Sequence, residues 1–391
     1  MTNTTINPED GISHNLSTIC IHGDDFLNRV PDVVTPINVS TTFRYDNENL
    51  VKAVDLANSV DDKKPLIYSR LSHPNAERLE AVLKSILGGP TVVYSSGLSA
   101  YFAILAHYRP RRIFMGHCYH GCKLAADLYA KMSGAEIHLL ESINNFCEAG
   151  DLVHIEDPIN PYGECVDLSN LSEITHERGG QMLVDSTLAP PPLRDPWKFG
   201  ADIVMHSGTK YLGGHSDLLS GVVCLKNEIS AQEMREERIA LGTIPASLES
   251  FLLLRSLRTL EVRVKKQSFN CEQLVKYIYE HKSDFNSVLD KVHHASLQKE
   301  DFVRKQLPHG YGPLFSIVLK REKQCKQLVH MVRIFQHATS LGGAESLIEW
   351  RALSDPLADQ TLIRISVGLE NIEDLIEDLA GSLRKIQSLE I

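Results

Sequence analysis

The sequence contains no run of about 18 uncharged apolar residues, which is the length that a helix needs to span a bilayer. Its first eleven residues are polar and acidic, so they do not resemble a secretory or transit leader. We therefore predict no membrane association and a cytoplasmic location.

Positive charge is also scarce. The 40 lysines and arginines are outnumbered by 50 aspartates and glutamates, which gives a net charge of −10. Basic residues interleaved with aromatic ones, as in nucleic-acid-binding surfaces, do not stand out in the chain. We expect no nucleic-acid partner.

Closely spaced cysteine pairs are missing as well. The eight cysteines are scattered along the chain, which is typical of reduced thiols rather than of a disulfide framework. One dense group, formed by His117, Cys118, His120 and Cys122, offers imidazole and thiolate ligands for zinc. Four ligands within six residues lack the two-pair spacing of structural zinc sites, so we predict no bound metal.

The composition is that of a globular protein. The chain has 391 residues, of which 43% are hydrophobic and 23% charged, and this length predicts two or three domains. Between residues 65 and 225, apolar strand-like runs alternate with helical stretches, which predicts βαβ units and a mostly parallel sheet with a site at its strand ends. The expected strands are 112–115, 152–156, 181–184 and 202–205, and the expected helices are 77–87 and 168–178.

Three regions follow from these patterns. Residues 1–60 are predicted to form an N-terminal arm with an extended segment at 33–43, and residues 61–250 an α/β domain. Residues 251–391 are predicted to form an α+β domain, entered by a long helix or helix pair over 248–280. A strand at 314–319 and a closing amphipathic helix at 372–386 complete it.

The segment that follows the last of those strands points to chemistry. Lys210 lies in a turn of small residues, three positions after Ser207 and one after Thr209, and Asp185 ends the strand before, 25 residues upstream. A lysine and a carboxylate at neighbouring strand ends can lie on opposite sides of a pyridine ring. The hydroxyl groups of Ser207 and Thr209 can bind a phosphate. This combination predicts pyridoxal phosphate, which needs a protonated ring nitrogen and a lysine partner.

A different interpretation fits Ser207 and Lys210 alone, because serine hydrolases of the penicillin-binding type use a Ser-x-x-Lys pair. Those enzymes also need Ser-Asp-Asn and Lys-Thr-Gly motifs. Neither motif occurs in this chain.

A second phosphate-binding feature lies upstream. An apolar run ends at Ser96-Gly97-Leu98, and a helix-compatible stretch follows. Backbone amides at such a helix start bind phosphate. An ordinary helix cap is the alternative, and the presence of Asp185 and Lys210 favours the phosphate site.

The chain resembles the Cys/Met metabolism family of pyridoxal-phosphate enzymes, which includes cystathionine β-lyase, cystathionine γ-lyase, cystathionine γ-synthase and methionine γ-lyase. The resemblance covers most of the length and implies the aspartate-aminotransferase-like (type I) fold, an α/β fold with a mostly parallel sheet in a large domain and a smaller α+β C-terminal domain. The matching motifs are Pro36-Ile-Asn-Val-Ser-Thr-Thr-Phe43, Tyr68-Ser-Arg70, Ser96-Gly97, Glu156-Asp-Pro-Ile-Asn160-Pro161, Val184-Asp-Ser-Thr187, Ser207-Gly-Thr-Lys-Tyr211 with Gly214-His-Ser-Asp217, Ser340-Leu-Gly-Gly343, and Ile363-Arg-Ile-Ser-Val-Gly-Leu-Glu370.

This resemblance implies a role for each cofactor-binding residue. Lys210 would be the Schiff-base lysine and the general acid and base, Asp185 the partner of the pyridine nitrogen, and Tyr119 the residue that stacks on the ring. The phosphate would be held by Ser96, Gly97, Leu98, Ser207 and Thr209, and by Tyr68 and Arg70 of a neighbouring subunit.

The resemblance also implies the substrate contacts. Arg364 would bind the carboxylate of an amino-acid thioether, assisted by Asn160 and Ser340. A site that borrows residues from a second chain requires a homodimer or a homotetramer.

Some positions depart from the family pattern. The motif His73-Pro74-Asn75 replaces Asn-Pro-Thr, Ser186 replaces an asparagine, and the loop 116–122 around Tyr119 is altered. The segment 344–362 is shorter than in the family and lacks the usual Thr-His-Ala-Ser motif. The choice of substrate is therefore open.

The residue before Ser340 concerns the reaction type. Many γ-active members of the family have a glutamate there, and this chain has Thr339, which favours β-elimination of cystathionine to homocysteine, pyruvate and ammonia. The γ-synthase and γ-lyase activities stay open as alternatives. A non-catalytic binding protein is less consistent with Lys210, Asp185 and Arg364 occurring together.

Overall fold

The computed structural model describes residues 14–57 and 65–389. The first eleven residues and the boundary predicted between residues 60 and 61 lie outside the described residues.

A seven-stranded sheet forms the centre of the larger region. Its strand order is β1, β7, β6, β5, β4, β2, β3, and all neighbours are parallel except β7, which is antiparallel to both β1 and β6. The strands are β1 (Thr91–Tyr94), β2 (Arg112–Met115), β3 (Glu136–Leu139), β4 (Leu152–Glu156), β5 (Gln181–Asp185), β6 (Ile203–Ser207) and β7 (Gly221–Leu225).

Both faces of this sheet are buried, which is why its strands are continuous apolar runs rather than alternating ones. Val92 and Tyr94 belong to one hydrophobic core, whereas Val93 between them belongs to another. The two cores are the packed layers of helices on either side of the sheet.

Within residues 14–57 and 65–246, eight α-helices belong to this region or precede it. Helix α3 begins at Pro74 after the cap of His73, and α4 begins after Ser96, whose side chain accepts a hydrogen bond from the backbone of Ser99 in a capping box. The helices are α1 (Leu16–His22), α2 (Ala53–Ala57), α3 (Pro74–Leu87), α4 (Gly97–Tyr108), α5 (His120–Ser133), α6 (Ile143–Phe146), α7 (Leu168–Glu177) and α8 (Glu228–Leu241).

A second sheet lies towards the C-terminus and has the order β10, β11, β12, β9, β8. It is antiparallel apart from the β10 and β11 pair, and it shares a separate hydrophobic core with helices α10, α12 and α13. The elements are α9 (Ser247–Leu257), α10 (Leu260–Glu280), β8 (Leu289–His293), α11 (Asp301–Gln306), β9 (Leu314–Leu319), α12 (Glu322–Met331), β10 (Gln336–His337), β11 (Leu347–Trp350), β12 (Leu362–Ser366) and α13 (Ile372–Ser388).

The predicted elements agree closely with the observed ones. Strands 112–115, 152–156 and 314–319 have the expected bounds, and the pattern over 248–280 corresponds to the pair α9 and α10. The segment 33–43, predicted as an extended part of an arm, forms no regular strand and makes a single bridge from Thr42 to Tyr68.

No helix within the described ranges is both long and apolar enough to cross a membrane. All eight cysteines are free thiols, and seven of them are buried.

Candidate active site

Three parallel strands of the large sheet end at one edge and place polar side chains there. Glu156 ends β4, Asp185 ends β5 and Ser207 ends β6, and Glu156 lies opposite Asp185 in the strand register. Since the carboxyl ends of parallel strands are where α/β proteins bind ligands, this edge is the candidate site.

A cavity of about 390 Å³ opens at this edge, between the large sheet and residues that precede and follow β11. Eleven of the thirteen residues that the sequence assigns to the site line it. They are Ser96, Gly97, Leu98, Tyr119, Asn160, Asp185, Ser207, Thr209, Lys210, Ser340 and Arg364.

Lys210 lies in the turn after β6. Its Nζ donates a hydrogen bond of 2.6 Å to Ser340 Oγ. Burial and the nearby Arg364 guanidinium lower the pKa of Lys210 to about 8, although Glu349 opposes the shift. The neutral amine, the form that acts as a nucleophile or base, is therefore far more populated near physiological pH than it is for an exposed lysine.

Asp185 is held in a fixed orientation by Thr187. The Asp185 Oδ1 atom accepts hydrogen bonds from the Thr187 backbone nitrogen at 3.0 Å and from its hydroxyl at 2.5 Å. That hydroxyl in turn accepts a bond of 2.8 Å from the backbone of Ser207, which ties β6 to β5. Burial raises the pKa of Asp185, while the Thr187 hydrogen bonds oppose the shift.

The start of helix α4 faces the same cavity. The backbone amides of its first turn, at Gly97 and Leu98, have no acceptor within the helix. A Cβ atom on Gly97 would lie 3.0 Å from Ser207 Oγ, so glycine lets the helix end approach β6 closely. Thr209 is fixed nearby, because its hydroxyl accepts a bond of 3.0 Å from the Ser220 backbone.

Glu156 organises the wall on the side of Tyr119. Its carboxylate accepts hydrogen bonds from the backbone nitrogens of Tyr119 at 2.6 Å and Asn160 at 3.0 Å. Burial and the charge of Asp185 raise the pKa of Glu156. The sequence patterns did not assign this role, although a glutamate at the end of an apolar strand beside Asp185 is a signal that could have indicated it.

Arg364 lies on β12 and reaches the cavity from the second sheet. Its guanidinium donates to Asn160 Oδ1 at 3.1 Å and to the Ser340 carbonyl at 2.9 Å. It also contacts Glu349 on β11 at 2.5 Å. Burial lowers the pKa of Arg364 to about 10, with Glu349 raising it and Arg351 lowering it further, so the side chain stays cationic.

Two residues of the sequence-derived set lie elsewhere. Tyr68 and Arg70 line a separate pocket of about 490 Å³ with residues 39–41 and 244–248. Tyr68 is 43% exposed, and the Arg70 guanidinium lies 5.5 Å from the centre of its ring. Within one chain, therefore, these two side chains are not part of the lysine cavity.

The dense histidine and cysteine group does not gather as a ligand set. In the part of the chain that the structure describes, the one group with ligand atoms close together is Cys122, His154 and Asp185, within 4.8 Å of one another. Burial raises the pKa of the Cys122 thiol and lowers that of His154 to about 4.

Comparison with known proteins identifies the family. The model of the Cys/Met metabolism PLP-dependent enzymes matches residues 17–384. The chain belongs to this family. Its cofactor is pyridoxal 5′-phosphate, and its fold is the type I fold that the motifs predicted.

Individual relatives divide among several activities. Cystathionine beta-lyase of Lactococcus lactis subsp. cremoris is 30% identical, with 95% of this chain and 99% of the relative covered. Cystathionine gamma-synthase of Escherichia coli K12 is 31% identical, covering 90% and 93%. The crystal structure of cystathionine gamma-lyase from yeast superposes with a TM-score of 0.85 at 26% identity, covering 96% of this chain and 99% of the other.

The residues of the cavity fit the family's cofactor. A carboxylate, an amine of lowered pKa and a helix start with free backbone amides face one space of about 390 Å³. These are the groups that a pyridine ring, an aldehyde and a phosphate require. The protein is thus a PLP-dependent lyase or synthase of sulfur amino-acid metabolism.

Proposed function

We propose that the protein is a cystathionine β-lyase, which cleaves the Cβ–S bond of L-cystathionine to give homocysteine, pyruvate and ammonia. The observation that carries this proposal is that Thr339 lines the cavity next to Ser340, where many γ-active members have a glutamate. An uncharged residue there offers no partner for a distal ammonium group held for γ-chemistry.

The proposed roles follow from the positions of the side chains. Bound pyridoxal phosphate stabilises negative charge at Cα of the amino acid. Lys210 would remove the Cα proton, since its lowered pKa makes the neutral amine available near pH 8. Ser340 would orient this amine through the 2.6 Å hydrogen bond.

Asp185 would keep the ring nitrogen protonated, and Thr187 would keep its carboxylate in place. Tyr119 lies at the cavity wall with 41% of its surface exposed, which leaves its ring free to cover the cofactor. Arg364 and Asn160 would hold the substrate carboxylate. The phosphate would be bound by Ser96, Gly97, Leu98, Ser207 and Thr209.

We further propose a homodimer or homotetramer, in the cytoplasm, with Tyr68 and Arg70 completing the phosphate site of a neighbouring subunit. Their position outside the lysine cavity of their own chain supports this arrangement. Exposed apolar residues precede Tyr68 in the chain. The exposed fractions of Val33, Val39 and Leu50 are 104%, 83% and 73%. Such a surface is typical of a contact with another chain. The proposed regions are 1–60, 61–250 and 251–391.

The test is the product formed from L-cystathionine. We expect pyruvate and homocysteine, identified by mass spectrometry, and we expect Lys210→Ala to reduce turnover by about 1000-fold or more because no other base replaces the amine. The purified protein should also carry the yellow cofactor band.

Other outcomes would change the assignment. Formation of 2-oxobutyrate would identify a γ-lyase, and consumption of an activated homoserine ester with cysteine would identify a γ-synthase. A colourless protein without turnover would leave a binding protein with this fold.

A further inference from the structure

Arg351 is a second arginine in the wall of the cavity that contains Lys210. It directly follows β11 and is 4% exposed. A guanidinium removed from water in this way requires anionic partners.

In the guanidinium of Arg351, the Nη1 atom makes more and shorter hydrogen bonds than the Nη2 and Nε atoms. The Nη1 atom donates to Glu349 Oε2 and to Ser354 Oγ, both at 3.1 Å. The Nη2 atom reaches Asp355 only at 3.4 Å, and the buried Nε atom has no partner. Asp355 is also 25% exposed, so it is the weakest partner. The Nε atom is closed off from the surface, so Nη2, which has the longest contact, is the atom with capacity for a further anion.

Arg351 and Arg364 share one carboxylate, although Asp185 and Glu156 also line the cavity. Glu349 Oε2 contacts both Arg351 and Arg364, so one buried carboxylate oxygen serves two guanidinium groups. The other oxygen of Glu349 is occupied by the Ser354 hydroxyl at 2.5 Å. Lys210 adds a third basic group to the same cavity. One carboxylate oxygen cannot satisfy two guanidinium groups as well as a bound ligand can.

We propose that Arg351 is a second anion-binding position in the substrate cavity, which selects amino acids that carry an acidic group beyond the bond that breaks. This inference rests on the proposed function, in which Arg364 holds the α-carboxylate. L-Cystathionine meets the requirement, because its distal half has a carboxylate. A simple alkyl thioether does not.

The test compares two ligands of equal chain length. L-2-Aminoadipate ends in a carboxylate where L-norleucine ends in a methyl group, and binding of each to the cofactor-loaded enzyme is measured by calorimetry. We expect the acidic ligand to bind at least about 10-fold more tightly to the wild type, as a charge-assisted hydrogen bond provides. In Arg351→Met this preference should fall to about 2-fold or less, with norleucine binding unchanged.

Two further variants separate direct binding from a structural role. Arg351→Lys keeps the charge but loses the planar fork, so its preference should be intermediate. Asp355→Asn removes the acid that competes for Nη2, so its preference should increase. Arg304→Met and Asp359→Asn, which change the same residue types outside the cavity lining, should leave the preference as it is in the wild type.

The possible failures are distinguishable. A preference near 1 in the wild type, or one that Arg351→Met does not reduce, overturns the inference and leaves the proposed function intact. If neither ligand binds the wild type, the assignment of the substrate cavity is wrong and the inference fails with it. If circular dichroism shows that Arg351→Met does not fold, the ligand preferences of Arg351→Lys and Asp355→Asn decide whether Arg351 binds the anion.

Discussion

Lys210 is the proposed base, and its surroundings set the protonation of its amine. Burial and the Arg364 guanidinium both disfavour the ammonium form, and the Glu349 carboxylate favours it. The amine is therefore neutral at a pH where an exposed lysine is still almost fully protonated.

This difference predicts how the apoprotein takes up pyridoxal phosphate. Because only the neutral amine reacts, the uptake rate should rise with pH through about 8 and then level off, instead of rising towards the ordinary lysine pKa of 10.5. Stopped-flow absorbance measures the rate, and the reaction of the cofactor with Nα-acetyl-lysine corrects for its own titration. In Glu349→Gln the midpoint should move to lower pH, since a carboxylate that favours the ammonium form is lost. A rate that still climbs above pH 10 would contradict the lowered pKa.

At the level of elements, the loop 340–343 connects the region around the second sheet to the lysine turn. Gly342 has a φ of +89°, and a Cβ atom there would lie 2.8 Å from the backbone carbon of Lys210 and the nitrogen of Tyr211. The close contact of two backbones fixes Ser340 beside the lysine amine.

Gly342→Ala should therefore lower the free energy of unfolding by about 1–3 kcal/mol, because alanine is strained at this φ and its methyl group separates the two backbones. It should also weaken cofactor binding, measured by fluorescence titration. Gly381→Ala is the matched control. Gly381 lies in α13 with nothing within 4 Å of its Cβ position, so alanine should stabilise the protein by about 0.5–1 kcal/mol. Equal denaturant midpoints for the two variants would argue against the packing interpretation.

The sequence predicted those parts of the site that depend on short segments. Asp185 ends one apolar strand and Lys210 closely follows the next, so their meeting at one sheet edge follows from the parallel pairing of β5 and β6. Ser96 follows β1, which runs in the same direction because β7 is antiparallel to both β1 and β6. Glu349 and Arg351 were missed, because the contact of Glu349 with both arginines depends on how β11 and β12 pair, which no local pattern specifies. The segment 33–43 was predicted as extended, but its bridge to Tyr68 and its hydrogen bonds to Asn75 depend on tertiary structure that no local pattern specifies.

For the whole molecule, the position of Tyr68 and Arg70 predicts complementation between two inactive variants. Lys210→Ala lacks the base, and the double variant Tyr68→Ala, Arg70→Ala lacks the phosphate contacts. If the site is shared in a symmetric pair, each hybrid dimer of the two variants contains one intact site. Random mixing of the two variants should therefore restore about a quarter of wild-type activity. Turnover after joint refolding measures the recovery. No recovery would mean that each chain completes its own site.

The cavity also determines when during synthesis the protein can become functional. The Lys210 contact with Ser340 joins residues 130 positions apart, and the Arg364 contact with Asn160 joins residues 204 positions apart. A nascent chain still on the ribosome can form the large sheet long before these contacts exist, since domains fold as units during translation. Binding of the vitamin B6 cofactor is thus a late event in synthesis. A prematurely terminated polypeptide that ends before position 340 would have a folded sheet without a closed binding pocket.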